Sequence, residues 1–353
     1  MAFTGFVKGV ASGDFNNDGR PDLYLSRLQG PNLLFRNDGP AGSETGPTAP
    51  WKFTDVAQSA GVTAPINSFP CWFFDYDNDG WEDIFVAGYY IHDVGDVAAD
   101  YLGLPSQGER SKLFRNNHDG TFSDMTAALH LDKVLLAMGC NYGDLDNDGW
   151  LDFYLGTGNP DLNSLMPNRM FRNAEGKSFQ DVTTSGGFGH LQKGHGVSFG
   201  DIDNDGDQDI YEVMGGAFSG DVYRNVLYEN PGHANHWLKL KLEGVKSNRA
   251  ALGARLKVVV ETGHGERTIY KTVSTGGSFG ASPLRQEIGL GRAKSIRAVE
   301  VFWPRTGLTQ RLSNLALDRF YKVREGESAA TSGALKSFKL SAAMSKHEHT
   351  VQP

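Results

Sequence analysis

The segment DYDNDGWEDIFV (75–86) places five carboxylates in its first nine positions and then passes abruptly into an apolar, β-branched run. Close copies stand at DFNNDGRPDLYL (14–25), DLDNDGWLDFYL (144–155) and DIDNDGDQDIYE (201–212), so the first aspartates, at 14, 75, 144 and 201, are 61, 69 and 57 residues apart. Repetition at such a period decides the architecture and is read before any local element. Each loop is followed by an apolar-aromatic segment carrying an asparagine: NLLFRN (32–37), KLFRNN (112–117), RMFRNA (169–174) and VLYENP (226–231). Three of these lead through a polar turn into KFTDVA (52–57), TFSDMT (121–126) or SFQDVT (178–183). Each unit therefore reads as four short strands, because alternation and β-branched or aromatic content favour strands over helices. Four antiparallel strands per repeat make a propeller blade. The expected fold is all-β: a propeller of four acidic-loop blades over 1–62, 63–130, 131–190 and 191–234, either a closed small ring or part of a larger one, then a β-sandwich-like domain.

The chemistry of the loop follows from its spacing. With the first aspartate as position 1, oxygen side chains occupy positions 1, 3, 5 and 9: Asp14, Asn16, Asp18 and Asp22; Asp75, Asp77, Asp79 and Asp83; Asp144, Asp146, Asp148 and Asp152; Asp201, Asp203, Asp205 and Asp209. At ~4 Å and an effective dielectric of about 20, each like-charge pair costs roughly 4 kcal/mol, so the loop needs a cation or raised pKa values to close. Glycine at position 6 supplies the sharp turn, and the carbonyl of position 7 (Arg20, Trp81, Trp150, Asp207) is a further candidate ligand. An all-oxygen, flexible donor set favours Ca²⁺ over Mg²⁺ and disfavours soft metals. About four Ca²⁺ would offset the formal charge of −8. An EF-hand requires a bidentate Glu at position 12 between two helices; position 12 here is Leu25, Val86, Leu155 and Glu212, in segments that read as strands.

These strings resemble the FG-GAP/VCBS repeats of integrin α-subunit propellers and bacterial surface proteins. The resemblance implies ligands from side chains 1, 3, 5 and 9 and carbonyl 7. Asn16 stands where the pattern has Asp, which makes the site at Asp14 the weakest, and Phe74 stands where Gly is usual.

From about residue 235 the acidic loops stop and period-two alternation takes over in HWLKLKLE (236–243), ARLKVVVE (254–261), RTIYKTVS (267–274), RAVEVFW (297–303) and RFYKVRE (319–325). A compact sandwich is expected over 235–326. The strings NHWLKLKLEG, NRAALGARLKV, GGSFGAS, EIGLG and VEVFWPRTG look like the ASPIC/UnbV domain, which commonly follows FG-GAP repeats, as in proteins similar to the cartilage acidic protein family. The tail 327–353 is small and polar; its SFKLSA (337–342) could add as a strand to a neighbour, and its His347/His349 pair reads as exposed tail.

The remaining composition narrows the function. A net charge of −8, with 17 of the 42 carboxylates held in the four nine-residue loops, argues for cations and against nucleic acid. No stretch of 18 apolar residues suggests a membrane span, and the opening MAFTGFVKGVASGDF shows no export signal. Cys71 and Cys140, each four residues before a loop where the other copies have valine, read as buried small apolar side chains. The absence of an Asn-x-Ser/Thr acceptor favours a bacterial origin.

No GxSxG or HExxH occurs, and His190 and His195 fall in a connecting loop without a partner nucleophile. Connections between the second and third strands, 88–111, 156–168 and 215–224, lie opposite the acidic loops and vary most. Tyr89, Tyr90, His92, Asp93 and Tyr101 in the first suit a protein or glycan surface. The expectation is a non-catalytic, calcium-binding extracellular or cell-surface protein acting in adhesion, matrix or surface interaction. Two alternatives stand beside it: a filament subunit or homo-oligomer assembled through open strand edges or the tail, and an accessory module of a secreted hydrolase.

Overall fold

The structure is a computed structural model that describes residues 4–41, 50–159, 166–216, 219–221 and 223–340. Its regular structure is almost wholly strand. Blade 1 is β1 (Phe6–Gly13), β2 (Asp22–Leu28), β3 (Leu33–Pro40) and β4 (Trp51–Asp55), followed by the single turn α1 (Ala57–Ala60). Blade 2 is β5 (Ser68–Phe74), β6 (Asp83–Gly88), β7 (Lys112–Asn116) and β8 (Phe122–Asp124), with α2 (Val94–Tyr101) between its second and third strands. Blade 3 is β9 (Ala137–Gly143), β10 (Asp152–Thr157), β11 (Arg169–Asn173) and β12 (Phe179–Asp181). Each is an antiparallel sheet in chain order. Blade 4 departs from that order. It has β13 (Gly194–Gly200), β14 (Asp209–Met214) and β15 (Val226–Tyr228), and its remaining strand, β19 (Gly280–Ala281), comes from the second domain and pairs parallel to β13.

That second domain is a sandwich of two sheets. One has the order β20 (Arg285–Gly291), β16 (His236–Glu243), β23 (Arg319–Arg324), β24 (Thr331–Gly333); the other β18 (Gly265–Thr272), β17 (Arg255–Thr262), β21 (Ser295–Trp303), β22 (Leu308–Leu312). Period-two alternation sends Leu238, Leu240 and Leu242 of β16 inward against Leu256, Val258 and Val260 of β17, with Trp303 fully enclosed in the same core. β24 lies beyond residue 326, so the tail supplies a strand of the sandwich. Residues 337–340 form no strand, and 341–353, including His347 and His349, lie outside the described residues.

Blades pack in sequence, each burying apolar side chains against the next. Ala11 and Tyr24 of blade 1 meet Cys71, Phe73, Ile84 and Val86 of blade 2. Trp72 of blade 2 stacks on Phe85 at 4.3 Å and reaches Tyr142 and Phe153 of blade 3. Tyr154 and Met170 of blade 3 pack on Val197, Phe199 and Ile210 of blade 4. Each such side chain contributes about 1.5–3 kcal/mol when fully buried, more than a typical hydrogen bond between blades. Cys71 and Cys140 are both free thiols buried in these seams.

Four blades do not close a ring here. The outward side of β1 is open, with Phe6 60% and Val10 54% exposed, whereas the equivalent Cys71, Cys140 and Val197 are fully buried. The centre of the arc is filled by the β18–β20 connection. Ser278 N donates to Cys71 O at 3.0 Å and its hydroxyl accepts from Cys71 N at 2.9 Å. Gly277 N donates to Asn141 Oδ1 at 3.1 Å, Asn141 Nδ2 donates to Ala281 O at 2.7 Å, and Val197 N donates to Phe279 O at 3.2 Å. Phe279 packs on Phe69 at 4.9 Å. The GGSFGAS string is thus a hub segment touching the innermost strands of blades 2, 3 and 4. Its glycines permit the approach, because a Cβ on Gly280 would overlap the Cys140 carbonyl oxygen. Among the described residues no helix is long and apolar enough to cross a membrane.

Candidate metal centres

Each acidic loop connects the first and second strands of its blade and folds the same way. Position 4 is left-handed, at φ 57° for Asn17, 54° for Asn78, 53° for Asn147 and 61° for Asn204, a conformation asparagine tolerates better than most residues. Glycine at position 6 is also at positive φ, 84° for Gly19, 88° for Gly80, 87° for Gly149 and 116° for Gly206. The resulting turn aims backbone N–H groups at the carboxylate of position 1. Asp75 accepts from Asp79 N at 3.1 Å and Gly80 N at 2.8 Å, and Asp144 accepts from Asp148 N at 2.9 Å and Gly149 N at 2.8 Å. Position 9 ties the loop to the third strand: Asp83 accepts from Tyr76 N and from Asn116 N, Asp152 from Leu145 N and Asn173 N, and Asp209 from Ile202 N and Asn230 N.

The turn brings positions 1, 3 and 9 together. In Asp75/Asp77/Asp83, Asp144/Asp146/Asp152 and Asp201/Asp203/Asp209, one carboxylate oxygen from each residue lies within 4.8 Å of the others. At that separation and an effective dielectric of about 20, each ionised pair repels by roughly 3–4 kcal/mol. Hydrogen bonds do not absorb the charge. Asp77 Oδ1 and Asp146 Oδ1 are buried and have no donor, while their Oδ2 atoms take Arg115 Nε at 2.7 Å and Arg172 Nε at 2.6 Å. Burial, reinforced by the neighbouring carboxylates, drives Asp75, Asp83, Asp144 and Asp152 well above the usual carboxylate range. An acceptor-only cluster with orphaned, buried oxygens fits a hard divalent cation.

Position 5 stands apart from these triads. Asp79 is held by His118 Nε2 at 2.8 Å and Asp148 by Arg172 Nη2 at 3.0 Å; in each loop its carboxylate also accepts the position-7 N–H, as Asp205 does from Asp207 N at 3.0 Å. Among position-7 side chains, Trp81 stacks on His118, Trp150 lies under Arg267, and Asp207 accepts from Asn147 Nδ2 at 2.8 Å. The first loop differs by one residue. Asn16 donates to Asp18 at 2.9 Å, Arg20 pairs with Asp18, and Asp14 and Asp22 keep their places, so this loop has one acid fewer. Burial lifts Asp22 to about 7.

Position 4 links neighbouring loops. Asn17, Asn78 and Asn147 donate through Nδ2 to the carbonyls of Gly80, Gly149 and Gly206 in the next blade, at 3.2, 2.8 and 3.2 Å. Asn204, with no next blade in the chain, donates to Lys336 O of the tail at 3.2 Å. The asparagine of the third strand answers in reverse, Asn116, Asn173 and Asn230 donating to Phe15 O, Tyr76 O and Leu145 O of the preceding loop.

The sandwich sits on the acidic-loop end of the arc and touches all four loops. Arg255 contacts Asn17 and lies 3.8 Å from Asp14; Tyr270 N donates to Asn78 Oδ1 at 3.0 Å; Gly289 N donates to Asp144 Oδ2 at 3.1 Å. On the fourth loop Lys239 pairs with Asp201, both buried, and Arg285 donates to Asn204 Oδ1 and Asp201 O. These contacts, the position-4 links and the hub segment were not read from the sequence. The recurrent asparagine at position 4 and the glycine-rich GGSFGAS were the available signals.

The proposed recognition residues divide. Tyr90 and His92 are exposed and Tyr101 is 74% exposed with Arg169 against its ring at 5.6 Å, but Tyr89 turns inward onto Phe69, and Asp93 caps α2 by accepting from Gly95 N at 2.7 Å. His190 packs on Tyr223, and His195 lies on β13 rather than in a connecting loop.

Comparison with known proteins agrees with this geometry. The profile described as FG-GAP-like repeat matches residues 14–86, 94–155 and 154–212, and that described as ASPIC and UnbV matches 244–330. Mouse (Mus musculus) cartilage acidic protein 1 is 25% identical over 305 residues, covering 84% of this chain and 42% of the relative. The chain thus spans less than half the length of that relative.

Proposed function

The chain belongs to the FG-GAP-like repeat family, and on that premise we propose that it is a non-catalytic binding module that works outside the cell and uses Ca²⁺ to hold its blades and its sandwich in one piece. The observation that carries this reading is the position of the three aspartate triads. They lie where the sandwich meets the loops, Gly289 N reaching Asp144 and Lys239 reaching Asp201, and they leave orphaned carboxylate oxygens at Asp77 and Asp146. Calcium at these loops would satisfy the orphaned oxygens, neutralise the triads and fix the asparagines at position 4 that join one blade to the next and to the sandwich. Exposed residues of the 88–111 insertion, Tyr90, His92 and Tyr101, are then the surface offered to a protein or glycan partner. The test is a calorimetric titration of chelator-treated protein with Ca²⁺ and Mg²⁺, paired with thermal unfolding. Calcium-selective binding that raises the melting temperature supports the reading; no heat and no stabilisation removes it.

A second reading rests on the open side of β1. The exposed Phe6 and Val10 occupy the side that in every other blade is buried against its neighbour. A second copy docking there through the outer side of its blade 4 would give a head-to-tail assembly. Sedimentation over a range of concentrations separates the two, since only the assembly grows with concentration.

A further inference from the structure

We propose that the outer face of the β20–β16–β23–β24 sheet carries an anion site for a glycan bearing sulfate or carboxylate groups. Strand register places Arg285, Lys241 and Lys322 in one row across three neighbouring strands, because Lys241 pairs with Arg285 on one side and with Lys322 on the other. Alternation turns all three away from the sandwich core, into which Leu240, Leu242, Tyr321 and Val323 point. Neighbouring strands are only about 4.8 Å apart, and like charges directly opposite one another are destabilising. Arg285 is neutralised by Glu287 at 2.7 Å. Lys241 and Lys322 are exposed, and among the described residues no ion pair reaches either of them. In a chain of net charge −8, two adjacent lysines that form no ion pair among the described residues mark a place where an anion relieves an existing repulsion.

The lysines lie in a groove of about 560 Å³, large enough for a short oligosaccharide, walled by Leu284, Arg249, Arg324 and Thr331. The groove is not uniformly basic. Arg324 is paired with Glu327 at 3.1 Å and Arg249 with Glu243 at 3.7 Å. This mixture selects among polyanions. The two glutamates would repel a continuous phosphate backbone, and no aromatic side chain lines the groove to stack a base. A sulfated or uronate-bearing glycan meets both features, its anionic groups falling on Lys241 and Lys322 and its hydroxyls donating to Glu243 and Glu327 or bonding the Thr331 hydroxyl. The other half of the same sheet face, at Lys239, Glu287 and Gly289, is covered by the third and fourth acidic loops, so the groove lies beside the seam without sharing its ligands.

The test uses the full chain in excess calcium and a heparin-derived octasaccharide as probe, read by calorimetry, with neutral dextran and a single-stranded DNA oligonucleotide of matched length in parallel. The expected result is saturable binding of the octasaccharide that weakens on the order of tenfold or more in Lys241→Glu/Lys322→Glu, with no binding of dextran and weaker binding of DNA. A second variant with the same charge change elsewhere, Lys52→Glu/Lys177→Glu, is expected to bind as the parent does. No binding by the parent, equal loss in both variants, or DNA binding as tight as the octasaccharide would each overturn the proposal. Calcium titration of the lysine variant is read separately, so loss of glycan binding with intact calcium heats is distinguishable from failure of the loops to bind calcium.

Discussion

The carboxylate of Glu287, in the sandwich, accepts the backbone N–H of Asp201 at 3.2 and 3.3 Å through its two oxygens, the position that Glu82 fills for Asp14 N at 2.7 Å and Gln208 for Asp144 N at 3.0 Å. Glu82 and Gln208 are the position-8 residues of the next blade, whereas Glu287 belongs to another fold altogether. The sandwich therefore occupies part of the place of a fifth blade at the end of the arc, and the tail, through Lys336 O and through Phe338 N donating to Asp203 O at 3.0 Å, occupies another part.

Replacing Glu287 with alanine leaves Asp201 N without its acceptor and removes a counter-charge from Lys239, whose ammonium is already pushed down to about 7 by burial. Breaking a buried charge network of this kind costs about 3 kcal/mol. Urea unfolding followed by tryptophan fluorescence is expected to show the loss, with Glu287→Gln, which keeps an acceptor, less affected than Glu287→Ala.

Calcium stoichiometry is expected to follow the acid count of the loops. Three sites, at Asp75, Asp144 and Asp201, are expected to bind more tightly than the site at Asp14, each adding about 2.7 kcal/mol of stability when calcium stands at 100 times its dissociation constant. Asn16→Asp is expected to bring the fourth site up to the others, and Asp77→Ala to remove the second; isothermal titration counts both.

Stability is expected to fall as pH rises toward alkaline values, because of Glu212. It lies buried between blades 3 and 4, accepts from the Tyr154 hydroxyl at 2.8 Å, leaves Oε1 without a donor, and is lifted by burial to about 8. A carboxyl whose folded pKa is raised holds a proton that the unfolded chain has lost. The contribution is full below the unfolded value of 4.5 and disappears as pH climbs through about 8. Its size is on the order of a few kcal/mol. Glu212→Gln is expected to flatten this part of the pH–stability curve, measured by thermal melts in calcium.

At the hub, Gly280→Ala is expected to displace the segment from the arc, since the added methyl overlaps the Cys140 carbonyl oxygen. Limited proteolysis reads the outcome: cleavage within 274–284 appears in the variant and not in the parent. Ser278→Ala, which loses the bond from Cys71 N and the long bond to Cys71 Sγ, is expected to cost about 1 kcal/mol and to leave the segment protected.

The acidic loops were legible because everything that shapes them lies within nine residues: the aspartates, the asparagine that accepts a left-handed backbone and the glycine of the turn. Strand periodicity likewise carried β16, β17, β18, β21 and β23. The open side of β1 could not be read, because whether a ring closes depends on the angle between sheets and on what fills the centre, not on the pattern within a blade. Blade 4 was expected to supply its own strands, yet its innermost partner, Gly280–Ala281, arrives from more than sixty residues beyond β14. Two small residues carry no periodicity by which such a pairing could be found. Glu287 was hidden for the same reason: a glutamate in a strand becomes an acceptor for Asp201 only once two domains are docked.

The route of the chain through its own centre has a consequence for how the molecule is made. During synthesis β1 to β15 leave the ribosome before Ser278, so they emerge with an empty axle, the Cys140 thiol and the Asn141 amide without their hub partners until the later segment arrives. Early units must then wait for a late one to complete them, and a nascent chain halted short of residue 280 would leave the Cys140 thiol, the Asn141 amide and the inner edge of β13 unpartnered by the hub.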